Sequence, residues 1–92
     1  MNTEHLFLNF PKEYFTKMLS DKKIDNMKAY EDGAFLLIKG ENSFTISHEL
    51  FEHWCTQERI KKPEHIHLVR MVDMCVEQLG FLDKRPKIIS LN

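Results

Sequence analysis

The stretch that decides the fold is residues 63–80, PEHIHLVRMVDMCVEQLG. It reads as an amphipathic helix with marked ends. Pro63 suits the first helical position, where a missing N–H costs nothing, and Gly80 suits a left-handed stop. At about 100° per residue, Leu68, Val69, Val72, Cys75, Val76 and Leu79 fall in one arc about 120° wide. His67, Arg70, Asp73 and Glu77 fall opposite. Ile66, Met71 and Met74 break the division by pointing towards or into the polar face. The helix therefore has a core face and a second face with an apolar component.

The core face needs a covering layer, and the preceding sequence supplies one. From 24 to 47 the hydrophobic period changes from helical to alternating. MKAYE leads into Asp32-Gly33, a strong hairpin signal, because both central positions of a type I′ turn need positive φ. AFLLIK reads as a central strand buried on both faces. Gly40-Glu41-Asn42 turns the chain again, and SFTIS alternates Phe44 and Ile46 with Ser43, Thr45 and Ser47. Residues 5–10, HLFLNF, alternate at Leu6, Leu8 and Phe10 and read as a further short strand. Ile88, Ile89 and Leu91 read as a final strand or extended tail.

Two more helices complete the expectation. PKEYFTKMLSDKK opens at Pro11 and places Tyr14, Phe15, Met18 and Leu19 on one face. HELFEHWCTQER follows Ser47 as N-cap and buries Leu50, Phe51, Trp54 and Cys55. The short connection through Ile60 to Lys62 makes this helix and the 63–80 helix neighbours in an αα-hairpin. The predicted fold is α+β, a meander of three to four antiparallel strands with three helices packed mainly on one face, in a single domain over residues 1–92. Its core should include Phe15, Leu19, Leu37, Phe44, Phe51, Trp54, Leu68, Val72 and Leu79.

Composition narrows the class. Of 92 residues, 42% are hydrophobic and 29% charged, which is ordinary for a globular protein and argues against disorder. A net charge of −1 argues against a strongly basic duplex-DNA binder. MNTEHLFLNF lacks a basic start and a long apolar run, so no signal peptide is expected, and no stretch approaches the roughly 20 apolar residues of a membrane span. Cys55 and Cys75 each lie on an apolar helix arc and belong to no CxxC pair. They read as buried free thiols of a reducing cytoplasm, with a disulfide as the alternative.

Catalytic and metal patterns fail on spacing. The string His48-Glu49-Leu50-Phe51-Glu52-His53 resembles a zinc-protease motif, but its histidines stand about 140° apart on a helix instead of one turn apart. His65 and His67 diverge by about 200°. His65 reads as a core-edge histidine with a hydrogen-bonded ring, and His53, Cys55, His65 and Cys75 match no closed zinc site. No phosphate-binding glycine loop or nucleophile elbow is present. The reading is a non-enzymatic protein with no cofactor, no metal and no small-molecule substrate.

Two features are left for recognition. The first is Ile66, His67, Arg70, Met71 and Met74, a set suited to a protein partner, though a second packing layer explains it equally well. The second is a group of basic tips: Lys22 and Lys23; Arg59, Lys61 and Lys62; Lys84, Arg85 and Lys87. Separate solvated helix ends account for them in the plainest reading, and phosphate or RNA contact is the sharper one. A helix-turn-helix regulator, with 63–79 as recognition helix, is the alternative. It suffers from Asp73 and Glu77 on the face that would meet phosphates.

The run MNTEHLFLNFPKEYF, the segment GENSFTISHELFEHW and the overall length resemble a phage-encoded anti-CRISPR protein of the type I-F class. The resemblance implies an inhibitor acting in the cytoplasm of the infected bacterial host. Its partner would be the crRNA-guided surveillance complex of Cas proteins, with the guide RNA as a further contact, and binding would block target DNA.

Overall fold

The computed structural model describes residues 2–84. Three strands, β1 (Asn26–Ala29), β2 (Phe35–Lys39) and β3 (Asn42–Ile46), form an antiparallel meander in the order β1-β2-β3. Four helices accompany it: α1 (Glu4–Leu8), α2 (Lys12–Ser20), α3 (His48–Gln57) and α4 (His65–Lys84). The α+β class agrees with the sequence, while the helices among the described residues number four instead of three. The candidate strand at 88–91 lies outside the described residues.

The other candidate for a fourth strand, residues 5–10, is helical. Leu6, Phe7 and Phe10 are buried and Leu8 is 57% exposed, a helical spacing with Phe7 inside where alternation would put Leu8. Pro11 limits this helix to little more than one turn, because the residue before proline disfavours the α conformation.

Strand pairing aligns Phe35 with Ile46, Leu37 with Phe44 and Met27 with Leu37. Paired residues share a face, so these side chains form the underside of the sheet, on which the helices lie. Leu36 and Ile38 point the other way and are half-buried beside Lys28, Asn26, Thr45 and Ser43. Among the described residues AFLLIK is therefore not buried on both faces. One helical layer covers one side.

The first hairpin also differs from expectation. Tyr30 N–H donates to the Ala34 carbonyl over 2.8 Å and Gly33 N–H to the Tyr30 carbonyl over 3.0 Å, which leaves a three-residue loop. Only Gly33 has positive φ there, at 94°, and Asp32 instead accepts from Ala34 N–H through its carboxylate. This is the three-residue loop with a left-handed glycine, not the two-residue type I′ turn. The second hairpin places Gly40 at φ 59° as the first of two turn residues between Lys39 and Asn42.

A single cluster of buried residues draws on every layer: Phe7 and Phe10, Met18, Phe35 and Leu37, Ile46, Phe51, and the inner arc of α4. Leu19, expected inside, is 40% exposed, and Met18 is the residue of the last turn of α2 that enters the core. Full burial of one Leu, Val or Phe side chain contributes about 1.5–3 kcal/mol, so the α4 arc alone is a major part of the stabilisation.

Candidate functional site

α4 begins at His65 instead of Pro63 and does not stop at Gly80. Its start is closed by Glu64, whose N–H donates to His67 Nδ1 over 2.9 Å while the Glu64 carbonyl accepts from His67 and Leu68 N–H. His67 thus fills the place of the third residue of a capping box, a role more often taken by Glu or Gln. It is a half-buried capping group instead of a free recognition residue. Gly80 is helical with open space around it, so nothing there forces the chain to turn. The helix runs a further turn, and the Asp83 side chain closes on Gly40 in the second hairpin.

The inner arc of α4 meets β2, β3, α1 and α3. Enclosed on so many sides, it is wider than the six-residue stripe and takes in Met71, which is 2% exposed. Met71 is therefore core, not part of a docking face. His65 lies half-buried at the core edge, but its Nε2 is buried with no hydrogen-bond partner among the described residues.

Ile66 and Met74 face outward as expected, 59% and 50% exposed, with Arg70 exposed between them. They are joined by Phe81, 65% exposed, which a sequence reading that ends the helix at Gly80 misses. Carrying the same rotation past Gly80 places Phe81 about 20° from Met74 and about 60° from Ile66. Ile66, Arg70, Met74, Glu77 and Phe81 form one exposed stripe about 22 Å long. Neither Arg70 nor Glu77 has an ion-pair partner among the described residues.

The basic tips divide into two clusters. Lys22, Lys23 and Lys84 line a groove of about 850 Å³ between the end of α2 and the C-terminal half of α4, joined there by Lys39. Four carboxylates, of Asp21, Asp73, Glu77 and Asp83, line the same groove and balance the four lysines. Lys39 is also tied down: its Nζ donates to the Lys22 carbonyl over 2.9 Å and to Asp25 over 3.4 Å. Arg59, Lys61 and Lys62 lie outside this groove, in the connection before α4. Twenty helical residues separate the two clusters by about 30 Å. Arg85 and Lys87 lie outside the described residues.

Lys22 and Arg59 share an unusual backbone. Both have φ 59°, a conformation that non-glycine residues rarely adopt. Each follows the C-cap of its helix. Lys22 N–H donates to Leu19 and Lys23 N–H to Met18; Arg59 N–H donates to Thr56 and Ile60 N–H to Cys55. These are two Schellman motifs, each with a cation where glycine is usual. A cation beside a helix C-terminus is favoured by the helix dipole, which offsets part of the strain.

The histidine-rich string on α3 is structural. His48 Nε2 lies 2.6 Å from the Asp32 carbonyl, and its ring sits 4.3 Å from that of Phe7. His53 is exposed. Cys55 and Cys75 are free and buried. Burial pushes the Cys75 thiol up to about 11, and burial followed by the charge of Glu52 raises that of Cys55. Both are poor thiolate sources at neutral pH. Among the described residues no group of three or more His, Cys, Asp and Glu side chains is placed to hold a metal ion, and no helix is long and apolar enough to cross a membrane. No protein-family model, curated protein or solved structure matches the chain.

Proposed function

We propose that this chain is a non-enzymatic inhibitor that binds a host crRNA-guided type I-F surveillance complex and blocks its target DNA. The observation that carries the reading is the outer face of α4: an exposed apolar stripe that carries Arg70, with one basic cluster before its N-terminal end and a second beside its C-terminal half. Exposed Ile, Met and Phe beside an Arg suit a protein subunit. Lysines about 30 Å apart suit phosphates of a guide RNA lying alongside that subunit. The chain-wide resemblance to type I-F anti-CRISPR proteins supplies the class of partner, and the cytoplasm of the infected host is where that partner resides.

Asp73 and Glu77 weigh against the alternative, a small DNA-binding regulator, because both carboxylates line the groove beside the exposed stripe of α4 and would repel duplex phosphates passing along that helix. The deciding experiment is co-elution with an assembled type I-F complex, with free duplex DNA in parallel. The expected result is co-elution with the complex and loss of target-DNA binding, both weakened by Phe81→Ala together with Met74→Ala. Binding to free duplex alone would put the regulator first, and binding to neither would remove the inhibitor reading.

A further inference from the structure

The stripe on α4 is complementary to itself. Two copies of the helix laid antiparallel about a twofold axis between Asp73 and Met74 bring matching positions of the stripe together. Ile66 then meets Phe81 of the second copy, Arg70 meets Glu77, and the two Met74 side chains meet near the axis. All five residues lie within an arc of about 80°, narrow enough to face one partner helix. The ends of the stripe stand about 11 Å from the axis. Helices crossing at about 20° remain in contact over that span.

We propose that in the free protein this face is covered by a second copy of the same chain, in an isologous dimer built on antiparallel α4 helices. The charge pattern chooses the occupant. Arg70 and Glu77 lack ion-pair partners among the described residues, and they are two turns apart on one side of the helix, too far to reach each other. The twofold turns this into two cross-copy ion pairs that alternate with three apolar contacts, an arrangement proper to a self-complementary patch. A parallel pairing would instead set Arg70 against Arg70 and Glu77 against Glu77. The like-charged ends, Lys61 and Lys62 of one copy and Lys84 of the other, lie beyond the stripe, where the helices have diverged.

Five residues a side fall short of the roughly 20–30 of a standard interface, so the dimer is a weak, concentration-dependent one. This inference does not rest on the identity of any host partner. It does imply that self-association and partner docking compete for α4.

Sedimentation velocity over a concentration series tests it, on the wild-type chain and on Arg70→Glu, Glu77→Arg and the double exchange. Circular dichroism melts serve as the folding control, since both positions are exposed. The wild-type chain is expected to pass from monomer to dimer with rising concentration. Each single variant sets like charges opposite and should weaken self-association by about tenfold or more. The double exchange should restore it, because opposite charges then face each other again across the twofold, with their positions swapped. A wild-type chain that stays monomeric, or a double variant no better than the singles, would overturn the proposal. Neither outcome bears on the host-complex reading, which co-elution addresses separately.

Discussion

The Tyr14 hydroxyl donates to Asp73 Oδ1 over 2.6 Å and joins α2 to α4 across 59 positions of sequence. The ring beneath that hydroxyl stands edge-on to Phe10 and Phe15, so one side chain serves the aromatic cluster and the polar link together. Burial, and then the hydrogen bond to Asp73, push the phenol well above the usual tyrosine range. A raised folded value means that the stabilisation is complete below the unfolded value of about 10 and is lost as pH rises through the folded one. Tyr14→Phe keeps the ring and should cost about 1 kcal/mol, the worth of one hydrogen bond to a partly solvated charge. In a Tyr30→Phe background Tyr14 is the one tyrosine left, and phenolate absorbance should appear only as the protein unfolds in alkali. Phenolate formation in the folded state near the ordinary tyrosine value of about 10 would contradict the link.

The two Schellman motifs make a prediction of opposite sign. Lys22 and Arg59 hold φ 59° with a β-carbon present, a conformation that costs about 1–2 kcal/mol outside glycine. Lys22→Gly and Arg59→Gly should each stabilise by roughly 0.5–1 kcal/mol, after the added unfolded-chain entropy and the lost helix-dipole contact are subtracted. Urea unfolding measures this directly. If the cations serve phosphates, the same variants should weaken binding to the surveillance complex while the fold becomes more stable, a divergence that a purely structural role would not give.

The parts of the molecule that were legible in sequence are those where one pattern had one consequence. The α4 arc of Leu68, Val72, Cys75, Val76 and Leu79 is buried as its spacing requires, and Ser47 caps α3 by accepting from Leu50 N–H. What was hidden had two readings at the same spacing. HLFLNF supports alternation through Leu8 or a helical turn through Phe7, and only the packed core decides between them. Gly80 supports a stop or a continuation, and the approach of Asp83 to Gly40 is a tertiary fact with no local signal. The candidate site divides in the same way. Ile66 and Met74 are legible from helical spacing, Met71 belongs to a core wider than one stripe, and Phe81 lies past a glycine that reads locally as a stop.

The two glycines facing those alternatives should respond in opposite ways. Gly80 is helical with nothing near its missing β-carbon, so Gly80→Ala should stabilise by about 0.5–1 kcal/mol through helix propensity. Gly40 combines φ 59° with the carboxylate of Asp83 where a β-carbon would stand. Gly40→Ala should therefore destabilise by about 1 kcal/mol or more. Thermal melts of the two variants separate a continuing helix from a terminating one. Were Gly80 a left-handed stop, its alanine variant would lose stability instead.

Asp25 fastens the second hairpin to the chain that leaves α2. Its Oδ2 accepts from Gly40 N–H over 2.6 Å and its Oδ1 from Lys39 Nζ over 3.4 Å, the same Nζ that donates to the Lys22 carbonyl. The backbone donation from Gly40 is the main cause holding the carboxyl below its usual range; a lesser desolvation opposes it, and Lys39 adds to it. A lowered folded value gives stability that is present above the unfolded value of about 3.9 and is lost as pH falls through the folded one. An exposed ion pair alone contributes little, so the charge-assisted bond to Gly40 carries the effect. Asp25→Asn keeps an oxygen acceptor and removes the charge. It should be less stable than the wild-type chain at neutral pH, and its urea midpoint should change less between about pH 5 and 3. An acid limb identical to wild type would show that Asp25 is not what fastens the hairpin, and would leave the Gly40–Asp83 approach as the contact that holds it.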